Sequence, residues 1–348
     1  LSIPPHALSP GDALAFCGML LNQSSELLLT PSTHVVLSRE GTTTSITMQN
    51  SYRGPVEDFM MLVPVPQVLQ REDVEVIAPT HLEKIARYTS PRHVAYEKQA
   101  RCVHAMSGEG GTINPKAGLA SEPSVSVAVK ASFSVSEYDI VVLDATESTA
   151  LIDWLKERDY NIPDGGEELL QGYINTGMYF FVAKVDASKV TFDEEGEAVL
   201  TPLKFTYESE DFSLPVRLGM LNADGPQDLL IHIISKEGRF EAKNYKTGVI
   251  PTNLIVRKEV EGKFNAFYEA LLTEVMKSNA WHVVTEYADV ISAQKCDPCT
   301  LLRGEGGLAQ AIEATLSQQE RDRLRIKSDV RKTRPLEFFY EEPLSREQ

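Results

Sequence analysis

Cysteine and tryptophan are scarce in this chain: four cysteines (Cys17, Cys102, Cys296 and Cys299) and two tryptophans in 348 residues. A small domain stapled by dense disulfides is therefore excluded. Long apolar runs are missing too. A membrane-spanning helix needs about 20 consecutive apolar residues, whereas the run Leu229 to Ile234 is short and carries His232. Positive charge is in deficit, with 34 Lys and Arg against 50 Asp and Glu and a net charge of −16. Such a surface repels phosphates and anionic headgroups, so no nucleic-acid partner is expected, and membrane contact only through a partner. Catalytic and cofactor signatures are also absent: no G-x-S-x-G elbow, no P-loop, no G-x-G-x-x-G after a strand and no H-E-x-x-H. The seven histidines, at 6, 34, 81, 93, 104, 232 and 282, include no pair at helical metal-ligand spacing. The acidic turn Asp193-Glu194-Glu195 lacks the pattern of a calcium loop. No metal and no cofactor are expected.

What is present is an ordinary globular composition, 42% hydrophobic and 24% charged in 38.6 kDa, enough for one large domain or two medium ones. His34 to Leu37 and Ser45 to Met48 flank the turn Glu40-Gly41 and predict a hairpin. Phe59 to Val65 is an apolar strand whose Pro64 and Pro66 suit an edge or an end. Thr80 to Thr89 predicts a short helix stopped by Pro91, and the glycine-rich stretch from Val103 to Pro123 a long mobile loop. Val125 to Val135 alternates apolar and polar residues as a half-buried strand does. Ser148 caps a first helix through Trp154 and Leu155; Asp164 and Glu167 form a capping box for a second, closed by Gly177. Strands are predicted again at Phe180 to Val185, Val190 to Leu200, Lys204 to Tyr207, Val216 to Leu221 and Leu229 to Ile234. From Phe264 to Met276 apolar residues recur at helical spacing, a stripe expected to pack on the chain's own sheet.

Strands and helices do not alternate strictly, so the expected class is α+β, sheet-rich, with largely antiparallel sheets, a central helical pair and C-terminal helices. The expected division is a β-rich unit over 1–145 and an α+β unit over 146–348.

Four cysteines allow three pairings. Cys296 with Cys299 and Cys17 with Cys102 are favoured, since the partners in Cys296-Asp297-Pro298-Cys299 lie within one turn; free thiols are the alternative. A redox role for that C-x-x-C lacks the supporting helix, because Gly304-Glu305-Gly306-Gly307 follows. A Cys102 nucleophile beside His93 or His104 is the other thiol chemistry weighed. Charge is also uneven. Arg321 to Arg334 holds Arg321, Arg323, Arg325, Lys327, Arg331, Lys332 and Arg334 against two acids, a segment of +5 on a remainder of −21. Its helix start is the capping box Ser317 to Glu320. Such a strip either pairs with the chain's own acidic surface or docks on a neighbouring subunit.

Several ordered blocks resemble the bacterial family named domain of unknown function 2330. They are Tyr52-Arg53-Gly54-Pro55-Val56-Glu57-Asp58-Phe59 leading to Val63-Pro64-Val65-Pro66, Tyr138 to Leu143, Trp154-Leu155 with Tyr160-Asn161-Ile162-Pro163, Leu214 to Gly219 with Asn222-Ala223, and Cys296-Asp297-Pro298-Cys299 before Leu316-Ser317. The likeness runs roughly from residue 45 to 335. It implies an exported bacterial envelope protein and carries over no catalytic residue. The expected function is thus an exported structural or protein-binding component of the cell envelope or an extracellular assembly, located in the periplasm, the outer envelope or outside the cell, with other subunits as partners. The rivals are an extracytoplasmic Cys-dependent or thiol/disulfide enzyme, and a carrier of a small ligand or metal.

Overall fold

The computed structural model describes residues 18–23, 28–54, 57–91, 128–145, 148–192, 197–225, 227–236, 238–243, 245–248, 250–251, 254–277, 282–289 and 308–321. Its strands are β1 (Met19–Asn22), β2 (Ser32–Glu40), β3 (Thr43–Arg53), β4 (Phe59–Val65), β5 (Val74–Val76), β6 (Ala128–Val135), β7 (Tyr138–Asp144), β8 (Tyr179–Val185), β9 (Glu197–Val199), β10 (Leu203–Glu208), β11 (Asp228–Ser235), β12 (Lys246–Gly248) and β13 (His282–Val284). Its α-helices are α1 (Pro79–Thr89), α2 (Ser148–Lys156), α3 (Gly166–Ile174), α4 (Phe264–Lys277) and α5 (Leu308–Thr315).

Two sheets pack face to face. The first runs β1-β4-β8-β7-β6; the second runs β11-β2-β3-β10-β5, with β9 on the far end of β3. Alternation of side chains puts Val35, Leu37, Ile46, Met48, Leu203 and Phe205 of the second sheet against Met61, Val63, Ile140, Val142, Phe181 and Ala183 of the first. Phe181 stacks on Phe205 across this interface with ring centroids 5.5 Å apart. The opposite face of the first sheet packs under α2 and α3 through Met60, Leu62, Phe180, Leu151, Leu155 and Leu170. The opposite face of the second packs under α1 and α5 through Val36, Leu82, Ile85, Ala311 and Ile312. The order of layers is helices, sheet, sheet, helices. Strand β4 is buried along its whole length because both its faces meet packed layers, which is why its sequence does not alternate.

The fold is α+β and mostly antiparallel. Among the described residues two pairings are parallel: β11 on β2 and β12 on β13. Both large sheets take strands from either side of residue 145, the boundary expected from the sequence.

The hairpin forms β2 and β3, and Gly41 makes the turn with φ +60°. Pro64 lies inside β4 although β4 has a neighbour on each side. It is tolerated because β1 pairs only with Phe59 to Leu62, leaving β8 as the single described partner at Pro64. The capping box expected at Asp164 is not formed; the N-cap of α3 is Gly165, φ +81°, with no side-chain cap. Val216 to Leu221 is not a strand. Residues Arg217–Asn222 form 3-10 turns that bury Leu218 and Asn222. The stripe on α4 is half-buried at most, with no fully buried residue.

Candidate functional site

A sheet edge carries a row of N–H and C=O groups that must be paired, blocked or left open to another chain. Among the described residues, three of the four edges that end the strand orders of the two large sheets are closed in recognisable ways. At β1 the buried side chain of Asn222 replaces a strand: its Oδ1 accepts from the Leu20 N–H at 2.7 Å, and its Nδ2 donates to the carbonyls of Leu20 at 2.9 Å and Leu28 at 3.1 Å. At β6 the register slips between Val129 and Ala131, a bulge that spoils a flat template. At β5 the edge is three residues long and carries Glu75.

The fourth edge, β11, has none of these devices. It is eight residues, Asp-Leu-Leu-Ile-His-Ile-Ile-Ser, regularly paired to β2 on one side from Asp228↔Ser32 to Ser235↔Arg39. No strand pairs with its other side among the described residues. It lacks proline, lysine and a bulge, and three of its aliphatic side chains stand open: Leu230 at 37%, Ile231 at 38% and Ile233 at 40% exposure.

Its single titratable group inside the run, His232, is turned inward. His232 Nδ1 lies 3.0 Å from His34 Nε2, and its Nε2 lies 2.7 Å from Thr89 Oγ1. The Thr89 hydroxyl donates to the carbonyls of Ile85 and Ala86 in its own helix. Assigning protons from that start, His232 Nε2–H donates to Thr89 and His34 Nε2–H donates to His232. Burial lowers His34 to a pKa of about 4, and burial together with the His34 charge lowers His232 to about 3, so both rings are neutral at pH 7. The chain ties β2, β11 and the C-terminus of α1 together. It does not activate Thr89, whose proton is already committed to the helix backbone.

The second polar cluster lies under α5. Lys204 is 1% exposed and donates from Nζ to the carbonyls of Leu316 at 2.5 Å and Ala314 at 3.4 Å, with Glu75 at 3.5 Å. A cation at the open carbonyls of a helix end is favourable. Burial lowers Lys204 to a pKa of about 8 against the attraction of Glu75. Burial pushes Glu75 up, but the Arg321 hydrogen bonds and the Lys204 charge outweigh it and hold the carboxyl below its usual value. Glu320 closes the capping box on Ser317, accepting its N–H at 2.7 Å, and also accepts from Ser38 of β2 at 2.8 Å.

At the start of β11 a cleft of about 270 Å³ opens between Ser32, His34, Gln49, Ser51, Val199, Asp228 and Leu230. Among the described residues no three His, Cys, Asp or Glu groups converge as a metal site.

Of the residues singled out in the sequence, Arg321 is held by Glu75 of its own chain at 2.7 Å. Arg323, Arg325, Lys327, Arg331, Lys332 and Arg334 lie outside the described residues, as do Cys17, Cys102, Cys296, Cys299, His93 and His104. The loop expected over 103–123 also lies outside them. Sequence reasoning missed Asn222, Lys204, and the His34, His232 and Thr89 chain. The available signal was a lone polar residue in an aliphatic run, as at Leu230-Ile231-His232-Ile233.

No helix among the described residues is long and apolar enough to cross a membrane. No curated protein and no solved structure matches the chain. One family profile does, over residues 11–333. The chain therefore belongs to DUF2330, a family of uncharacterized proteins conserved in bacteria.

Proposed function

We propose that this chain is an exported, non-catalytic component of the bacterial cell envelope or of an extracellular assembly, and that it binds another protein subunit by strand addition along β11. The observation that carries the reading is the contrast between edges: Asn222, a bulge and shortness close three of them, while β11 offers eight regular residues with open aliphatic side chains. Strand addition takes affinity from main-chain hydrogen bonds and specificity from alternate side chains. The acidic body, at −16, disfavours nucleic acid and anionic lipid as partners.

The test is a photo-crosslinking residue in place of Ile233, introduced in the source bacterium. A single discrete protein adduct in the extracytoplasmic fraction is expected. Recovery of the chain from the cytosol with four alkylatable thiols, or the absence of any adduct, would overturn the reading.

A second reading, a small-ligand carrier, rests on the cleft. The proton assignment leaves His34 Nδ1 as an acceptor on a residue that lines the cleft together with Ser32, Ser51 and Asp228, a lining for a donor-rich small molecule. A non-covalent mass adduct on the purified chain that disappears in His34→Phe would favour it over the first; its absence would remove it.

A further inference from the structure

We infer that the occupant of the β11 edge is a second copy of this chain, added antiparallel about a twofold axis that passes midway between His232 of one copy and His232 of the other. The inference rests on the strand-addition reading above and specifies its partner.

The argument is one of register. In an antiparallel pair, directly opposed residues lie on the same face of the sheet. When a strand pairs with its own copy, only registers centred on a residue keep the apolar faces matched. Centring on His232 sets Ile231 against Ile233 of the partner copy, and the reverse, so the two most exposed isoleucines of the strand cover each other. On the other face the same register sets Leu230 against Ile234. At the ends it sets Asp228 against Lys236 of the copy, twice by symmetry. Asp228 is exposed and Lys236 is one residue past the strand, with its side chain 36% exposed and 3.3 Å from Glu40. The strand is thus self-complementary in shape and in charge, the requirement of an isologous interface. Centring on Ile231 instead leaves Asp228 facing Ile234 and forfeits both ion pairs.

The neighbourhood suits a copy as well. From Asp228 to Lys236 the formal charges cancel, so this edge is a neutral line on a molecule of −16. The only ionisable group at the axis, His232, is neutral and already hydrogen-bonded inward to His34 and Thr89. Two copies can meet there without burying a charge. The twofold axis stands perpendicular to the sheet, so the layer holding α1 continues on the same side in both copies and the second sheet runs unbroken through the axis.

The test is sedimentation of the purified full chain. Wild type at micromolar concentration is expected at twice 38.6 kDa, and Ile231→Lys and Ile233→Lys at the single-chain mass, with unchanged far-UV circular dichroism. Asp228→Lys is expected to weaken the dimer at least tenfold, and the exchange Asp228→Lys with Lys236→Asp to restore it, which also guards against a variant that merely misfolds. A wild-type dimer indifferent to both lysine variants would overturn the interface, and failure of the charge exchange would overturn the register. If wild type is a monomer while the Ile233 crosslink captures a different protein, self-pairing fails and the strand-addition reading stands; if neither occurs, both fail.

Discussion

Two partly buried imidazoles joined through nitrogens 3.0 Å apart make this region acid-sensitive, and the sign follows from their burial. Folded His34 and His232 titrate near 4 and 3, whereas unfolded histidine titrates near 6.5. Between those values the unfolded chain binds more protons, so stability is fully present above about pH 6.5 and is lost as pH falls toward 4. Thermal melts at steps from pH 7 to 4 should show this decline, and the double variant His34→Gln with His232→Gln should flatten it; an unchanged slope would assign the sensitivity elsewhere. Asn222 makes a separate case. Its side chain satisfies three buried backbone groups of β1 and the following loop, and each buried group left unpaired costs about 1–3 kcal/mol. Asn222→Ala should therefore lower unfolding stability by about 2–4 kcal/mol in urea titration, even though no apolar contact is lost. Neither role was legible in sequence. His34 and His232 are 198 positions apart, and Asn222 sits in a stretch whose spacing resembles a strand.

At the scale of elements, patterns set by near neighbours in the chain read well, even in a strand such as β8 whose two faces are both buried. The β2–β3 hairpin, α1, β8, β10 and β11 fall close to their expected bounds because period and turn chemistry are local. The failures are tertiary. Parallel pairing of β11 on β2 joins segments with no turn signal between them, and a lysine alternating with Leu203 and Phe205 reads as a solvent-facing residue. Lys204 is instead covered by α5, whose carbonyls it holds. That arrangement gives unequal costs for its two charges. Lys204→Met removes the buried charge and leaves Glu75 partly exposed with Arg321 still bound. Glu75→Gln leaves a buried ammonium without its carboxylate, the more expensive outcome. Denaturant unfolding should accordingly rank Glu75→Gln as the more destabilised of the two, and the reverse order would locate the stabilisation in the helix-end carbonyls. The pH sign is the same as that of the histidines, but the window lies higher. Since folded Lys204 titrates near 8 and an unfolded lysine near 10.4, the unfolded chain binds more protons between them, and the cost of burying the charge fades as pH rises through that window.

For the molecule as a whole, net charge and edge chemistry act in opposite directions on self-association. Each copy carries −16, so two copies repel over distances that salt screens: the Debye length is about 30 Å at 0.01 M and about 8 Å at 0.15 M. The contact proposed along β11 consists of main-chain hydrogen bonds and aliphatic pairs, which salt at these concentrations barely alters, plus two Asp228 to Lys236 ion pairs at its ends. Exposed ion pairs contribute at most about 1 kcal/mol each, while the repulsion is summed over the whole surface. Screening should therefore remove more repulsion than attraction, and dimerisation should tighten several-fold as sodium chloride is raised from 0.01 M to 0.15 M in sedimentation equilibrium. The Asp228→Lys variant sharpens the comparison, because it reduces the net negative charge by two units per chain and also destroys the end pairs. If long-range repulsion dominates, its dimer should respond less to salt than wild type while being weaker at every concentration. If instead wild-type association weakens steadily with salt, the ion pairs hold the copies together, and the open isoleucines of β11 are not what brings two chains into register.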